Sequence, residues 1–495
     1  MSEKAIYSLV LVLYMGLLII VGLLTSRKMR NVEDFYIGGR NVGPWVTALS
    51  YVAAYFSSVV IIGGGGFGYK YGMATLWIGA ANVLFGCTLA WIVLGRRLRE
   101  FTTRLKTMTV PGFLAERFSA KEARILAAVV IAVFLVVYNV SILKGMGHIF
   151  EVLMGMPYIY GVLLSGAIII AYVSLGGYLA VVWTGFFQAW VMGAGLILLT
   201  VAALKAVGGL AAANLSLAAI DRGLVETPGV WGWAGLISYG LIVSFGVWGM
   251  PQLLVRFYSI RSVDVLRIGT VVATVGGSMA LLPYLVGAIT RVLHPGLANP
   301  DLAIPTLTRA ILSPWGGAVF LAGVISAGMS TFASVLIITS SAIVRDFLQK
   351  GLGKELSERQ AFRYSRIASA AIGLISLAIA LRPPALIMVL TAFSWAAIAS
   401  TCLWPILAGI YWKGATRWGI IASMTSGLTV ALVWMALGSP FGLHGFLPGT
   451  TMGLISLVVV SLVTPKLSQE HLQQVWGGGR LGRTGTPRVK TNKKG

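Results

Sequence analysis

Residues 56–72 read FSSVVIIGGGGFGYKYG: four consecutive glycines (63–66) inside a run, 43–68, that is otherwise apolar enough to cross a bilayer. Hydrocarbon cannot satisfy backbone groups, so an unbroken helix is the default there and a glycine cluster weakens it. Membrane chains keep interrupted helices where the freed backbone lines a cavity. In transporters such breaks lie near the midplane and hold ions and solute. Close helix packing is the alternative, because glycine is common where membrane helices touch.

Working outward, the rest of the chain is of the same kind. Of 495 residues, 57% are hydrophobic and only 11% charged, which implies a polytopic, all-α membrane protein. At about 20 apolar residues per span, the pattern predicts about thirteen transmembrane helices, the first at 5–26 and the last at 445–464. The first span follows only four residues and has no small-residue cleavage site before Arg27, so it is expected to be retained.

The net charge of +23 does not imply a nucleic-acid partner, because its distribution is topological. Alternate loops and the tail hold 30 of the 38 Lys and Arg; the other side holds Lys4, Lys70, Lys144, Lys205, Arg222, Arg291, Arg309 and Arg382. Basic loops stay on the cytoplasmic face, so the expected orientation is N-out, C-in, in a cell (inner) plasma membrane. Cys87 and Cys402 lie in apolar spans and the four histidines are scattered, so no cysteine- or histidine-ligated metal site, no cofactor and no catalytic residue is expected.

After an N-terminal helix (1–27), two blocks of five spans are predicted at 43–207 and 233–412. Two further spans (413–465) and a basic, disordered cytoplasmic tail (466–495) follow. Both blocks open on an interrupted helix, the second at SYGLIVSFGVWGMPQLLVRF (238–257), with Gly240, Gly246, Gly249 and Pro251. Five is odd, so the second block starts from the opposite face. Matched interruptions in two inverted halves point to a transporter binding site.

Only 15 residues are acidic, and none is placed by the pattern near a span midpoint. A proton-driven carrier needs a group there to titrate, so proton coupling is disfavoured; an intramembrane enzyme lacks a base. Hydroxyls and freed carbonyls remain, which suit a hard monovalent cation. In the ninth span Ala327, Ser330 and Thr331 share one helix face, spaced i, i+3, i+4. They face an ion at the first interruption or, alternatively, bond their own i−4 carbonyls.

Seven segments in order make the chain similar to the sodium:solute symporter family. They are DFYIGGRNVG (34–43), 56–72, TVPGFLAERF (109–118), GGYLAVVWTGFFQ (176–188), GMPQLLVRF (249–257), MSTFASVLIITSSAIVRDF (329–347) and LWPILAGIYW (403–412). The resemblance implies the LeuT-type 5+5 inverted-repeat fold with one extra N-terminal and two extra C-terminal helices. It implies a transporter rather than an enzyme, with sodium as coupling ion and a small-molecule solute as cargo; a non-transporting membrane sensor is the different-class alternative.

Carried over by position, the resemblance implies sodium ligands at the carbonyls of Ala53, Phe56 and Ala327 and the hydroxyls of Ser330 and Thr331. The implied solute-lining residues are Tyr138, Asn139, Ser244, Trp248, Gln252 and Trp395. Two departures stand out. Many relatives carry Asp where this chain has Gly185, and some amino-acid carriers carry Asp where it has Tyr55. YKYG (69–72), DLAIPTL (301–307) and RPPALIMVL (382–390) are most similar to the pantothenate and monocarboxylate branches, so the expected solute is a small carboxylate, with a proline-type amino acid or a sugar as alternatives. Solute identity, sodium stoichiometry and oligomeric state are not legible in the sequence.

Overall fold

The computed structural model describes residues 1–26, 32–40 and 42–477. Among them all regular structure is helical; the one β-like feature is an isolated bridge between Val42 and Ile260. The helices that position the site are α1 (Glu3–Ser26), α2 (Pro44–Tyr55), α3 (Gly64–Tyr71), α4 (Ala90–Arg104) and α5 (Lys121–Met154). Next come α6 (Tyr158–Val207), α7 (Gly232–Phe245), α8 (Pro251–Ser259), α9 (Val265–Ser278), α10 (Leu281–Leu293) and α11 (Ala303–Ile311). The series closes with α12 (Pro314–Ser341), α13 (Glu358–Ala380), α14 (Ile387–Tyr411), α15 (Arg417–Ala436), α16 (Phe446–Val463) and α17 (Gln469–Trp476).

Burial sorts these helices into a centre and a rim. From Gly317 to Ser341 nearly every residue of α12 is buried, and α14 is buried along most of its length. The rim helices expose large apolar side chains: Val12, Leu13 and Ile20 on α1, Leu374 and Ile375 on α13, Leu462 and Val463 on α16. So much exposed apolar surface suits lipid rather than water. The helix α12 packs against α5 and α6 and also touches α2. It thereby brings the ninth predicted span to the first interruption.

Three sequence expectations change. Eleven helices among the described residues are long and apolar enough to span, against about thirteen expected. The difference is local: the half-helix α2 is only 12 residues, the helices on either side of a turn at Gly72 (φ 72°, ψ −153°) count together as one run from 59 to 104, and the apolar helix 158–170 is short.

The glycine run is not the interruption. Gly63 and Gly64 have right-handed helical dihedrals and α3 is regular; the chain leaves helix earlier, at Phe56 (φ −84°, ψ 88°). The glycines instead let helices touch. A Cβ on Gly68 would lie 2.1 Å from the Tyr284 carbonyl oxygen, and one on Gly287 only 1.9 Å from that of Gly65.

Past the inner end of the ninth predicted span, Asp346 is fully buried in a π-helical continuation of α12 (Ala342–Gly351), with Thr109 donating to it at 3.0 Å. Finally, the predicted disordered tail begins with a helix. In α17 the Ser468 hydroxyl accepts from the His471 amide, Val475 is buried, and Trp476 packs edge-on against Phe101. Apolar anchors at 475 and 476 outweigh the polar composition of the segment; residues 478–495 lie outside the described residues.

Candidate functional site: two interrupted helices closed by α12

At the first interruption the chain turns through Phe56, Ser57 and Ser58 before a π turn at Val59–Gly63 resumes the helix. Neighbours pay the backbone cost of that turn. The Ser58 hydroxyl donates to the Ile142 carbonyl of α5 (2.8 Å), and the Ser57 hydroxyl accepts from the Val59 amide (3.2 Å). Upstream, the last turn of α2 offers its carbonyls outward, as a helix C-terminus must.

Two of those carbonyls meet α12. Ser330 Oγ donates to the Ala53 carbonyl at 2.7 Å and Thr331 Oγ1 to the Ala54 carbonyl at 2.9 Å. Both hydroxyls also lie within hydrogen-bond distance of the Ala327 carbonyl, at 3.0 and 3.2 Å. Each hydroxyl thus lies within reach both of its own helix and of α2. Five oxygens converge, all uncharged and all buried: three carbonyls and two hydroxyls. Of the residues implied for sodium, Ala53, Ala327, Ser330 and Thr331 come together. The second α2 carbonyl facing the hydroxyls is that of Ala54 rather than Phe56. Gly185 lies against this set, since a Cβ there would sit 3.3 Å from Ser50 Cβ and 3.9 Å from Ala53 Cβ.

The second interruption is where the sequence places it. Helix α7 tightens into a 3-10 turn at Gly246–Gly249, Met250 is extended, and Pro251 opens α8. Tyr55 ties the two interruptions together, donating its hydroxyl to the Val243 carbonyl at 3.1 Å. Around it stand Phe56, Tyr138 and Trp395, with ring centroids of Tyr138 and Trp395 5.8 Å apart and those of Tyr55 and Trp395 6.5 Å apart.

Of the six implied solute-lining residues, Tyr138 and Trp395 thus meet directly. Ser244 follows the carbonyl that Tyr55 binds, and Trp248 gives its indole N–H to the Phe85 carbonyl (2.9 Å). Asn139, Ser244, Gln252 and Trp395 each carry a buried polar atom without a protein partner. Such atoms are costly unless something binds them. Sequence reasoning missed Ala54, the Tyr55 bridge and Gln188, whose two side-chain ends are likewise buried and unpartnered. No motif marks them, because each depends on which helix lies opposite.

Near the start of α3 a buried ion pair joins three elements. Lys144 Nζ of α5 lies 2.8 Å from Asp301 Oδ2, which also accepts from the Ile387 amide at the start of α14 (3.3 Å). A Cβ on Gly66 would be 3.2 Å from Asp301 Oδ1, so the pair sits on the glycine face itself. Removing one partner of a buried pair strands the other, at about 3–5 kcal/mol. Asp301→Asn and Lys144→Met are each expected to lower thermal stability in detergent by that amount. The double variant Lys144→Met/Asp301→Leu should recover most of it in the same melting assay.

Comparison with known proteins places this geometry. The model of the sodium:solute symporter family matches residues 35–427. The osmoregulated proline transporter OpuE of Bacillus subtilis is 30% identical, with 94% of this chain and 96% of that protein covered. The sodium/proline symporter of Staphylococcus aureus is also 30% identical, over 92% and 93%. A sodium-coupled sialic acid symporter solved in an outward-open state shares the fold, with a TM-score of 0.81 at 17% identity, covering 94% of this chain and 98% of that one. A nucleobase-cation-symport-1 transporter superposes at 0.61, with 15% identity over 90% and 99%. A LeuT-type helical fold, oxygen-lined interruptions and a family match over most of the sequence agree: the chain is a multi-pass membrane protein of the sodium:solute symporter family.

Proposed function

We propose that this symporter moves a small neutral amino acid of the proline type with sodium, by alternating access, and that sodium binds between α2 and α12. The convergence of Ser330 and Thr331 on the freed carbonyls of Ala53 and Ala54 carries the ion half of this reading. An uncharged oxygen set suits sodium, and the ion would replace hydroxyl–carbonyl contacts that otherwise hold α2 to α12. The solute half rests on the curated relatives, which are proline transporters, and moves the expectation away from pantothenate. A compact group of Tyr55, Tyr138 and Trp395 suits a small ring, and unpaired amide and hydroxyl groups nearby suit a zwitterion.

Energetics agree with a net-neutral solute. One charge moving down about 100 mV supplies about 2.3 kcal/mol, and a tenfold sodium gradient about 1.4 kcal/mol. Together these support roughly 500-fold accumulation of a neutral solute per sodium, but only roughly tenfold for a monoanion. A compact monocarboxylate is the second reading, favoured by Tyr55 standing where some amino-acid carriers carry Asp.

Radiolabelled proline uptake into proteoliposomes, with and without a sodium gradient, decides between them. Saturable sodium-dependent proline uptake is expected; uptake of pantothenate, acetate or pyruvate but not proline would overturn the amino-acid reading. Trp395→Leu is expected to raise the half-saturating solute concentration about tenfold, the upper end of what an aromatic contact contributes. The sodium dependence measured in the same vesicles should stay unchanged.

A further inference from the structure

Four Lys or Arg side chains are buried among the described residues: Arg117, Arg124, Lys144 and Arg256. Three have evident compensation. Lys144 faces Asp301 and Arg124 faces Glu116 at 2.6 Å. Arg117 donates to the Gly409 and Trp412 carbonyls (2.8 and 3.2 Å), the negative end of α14. Arg256 is the exception. It is 1% exposed, donates from Nη2 to the neutral Ser334 hydroxyl at 2.8 Å, and lies over the Tyr178 ring at 5.1 Å. Its Nε and Nη1 are buried without a partner. Neither buried carboxylate reaches it, since Asp301 pairs with Lys144 and Asp346 is held by Thr109.

A guanidinium does not shed its proton to escape burial. An unpaired charge in such a place costs several kcal/mol, so a counter-charge is strongly favoured. The position is informative. Ser334 is one turn along α12 from Ser330, and its hydroxyl donates to the Ser330 carbonyl at 2.8 Å. Arg256 is thus linked through a single hydrogen-bonded turn to the oxygens proposed to hold sodium.

We propose that Arg256 and Ser334 form a binding site for a small monovalent anion, of chloride or carboxylate chemistry, one helical turn from the sodium oxygens. One Nη2 hydrogen goes to Ser334, whose own proton goes to the Ser330 carbonyl; the other Nη2 hydrogen, with the unpartnered Nε or Nη1 on the same edge of the planar group, offers an anion two parallel donors. An anion there offsets the repulsion between the guanidinium and an arriving sodium ion, so the two ions favour each other. Chloride from solution and the carboxylate of the solute are the two sources.

The chloride arm is measured without sodium or solute, so it stands or falls separately from the symport reading, on which the solute arm and the linkage to sodium depend. Purified protein is titrated with radioactive chloride, and its melting temperature is followed in chloride against gluconate. Saturable chloride binding that is lost in Arg256→Gln and retained, weaker, in Arg256→Lys supports the site with chloride as occupant. If chloride has no effect but proline stabilises the protein in an Arg256-dependent way, and prolinamide (which lacks the carboxylate) does not, the site holds and its occupant is the solute. No Arg256-dependent response to either anion overturns the proposal. Should Arg256→Gln not fold, Ser334→Ala replaces it, and absent binding of both anions to the wild-type protein overturns the proposal unaided. In proteoliposomes, replacing chloride by gluconate is then expected to raise the half-saturating sodium concentration roughly fivefold or more, the usual lower bound of coupling between sites.

Discussion

Ser330→Ala combined with Thr331→Ala is expected to abolish sodium-stimulated uptake while the protein still inserts and purifies. Each hydroxyl reaches a freed carbonyl of α2, and a bond from a neutral group to a charge contributes about 1.5–3 kcal/mol. Two lost ligands therefore weaken sodium binding by roughly 10²- to 10⁴-fold, beyond the range an uptake assay can saturate. Insertion is spared because alanine is apolar and the carbonyls already belong to the last turn of α2. Uptake against sodium concentration in proteoliposomes checks this, with thermal unfolding as the folding control. Undiminished sodium dependence in a folded double variant would falsify the sodium-site assignment. The single variants distinguish the ligands, since Thr331→Ser keeps the oxygen and should keep most of the coupling.

Gly287→Ala is expected to be among the most destabilising single substitutions in the chain, although it adds one methyl group far from any ligand. Its Cβ would lie 1.9 Å from the Gly65 carbonyl oxygen, so backbone meets backbone and no rotamer relieves the clash. Helices α3 and α10 would have to part by about an ångström or more, and overpacking of this kind costs about 3 kcal/mol or more. Loss of a monodisperse peak and a lowered melting temperature in detergent are the readouts. Gly240→Ala is the control, since a Cβ there meets nothing within 4 Å. It should behave as wild type.

Much of the site was legible along the chain because membrane burial constrains composition so severely. Ser330 and Thr331 share a face with Ala327 on the ninth predicted span, and Pro251 marks the second interruption by removing a backbone donor. The first interruption was misplaced by about two turns. Glycines attract notice, yet glycines 63–66 are helical, and the chain breaks instead at Phe56, a residue with no sequence signal for it. What permits that break is supplied by other helices: Ser58 on α5, Tyr55 on the Val243 carbonyl, and α12 on the carbonyls of Ala53 and Ala54.

The same division holds for charge. Composition alone made this an all-helical membrane protein, and ordered motifs alone pointed to its family, because a bilayer leaves few ways to satisfy a backbone and each shows in the residue pattern. Which carbonyl faces which hydroxyl, that Lys144 meets Asp301, and that Arg256 meets no carboxylate depend on contacts between residues tens to hundreds of positions apart. Those were decided by helix packing, since a side chain's partner is set by the surface opposite it and not by its neighbours along the chain.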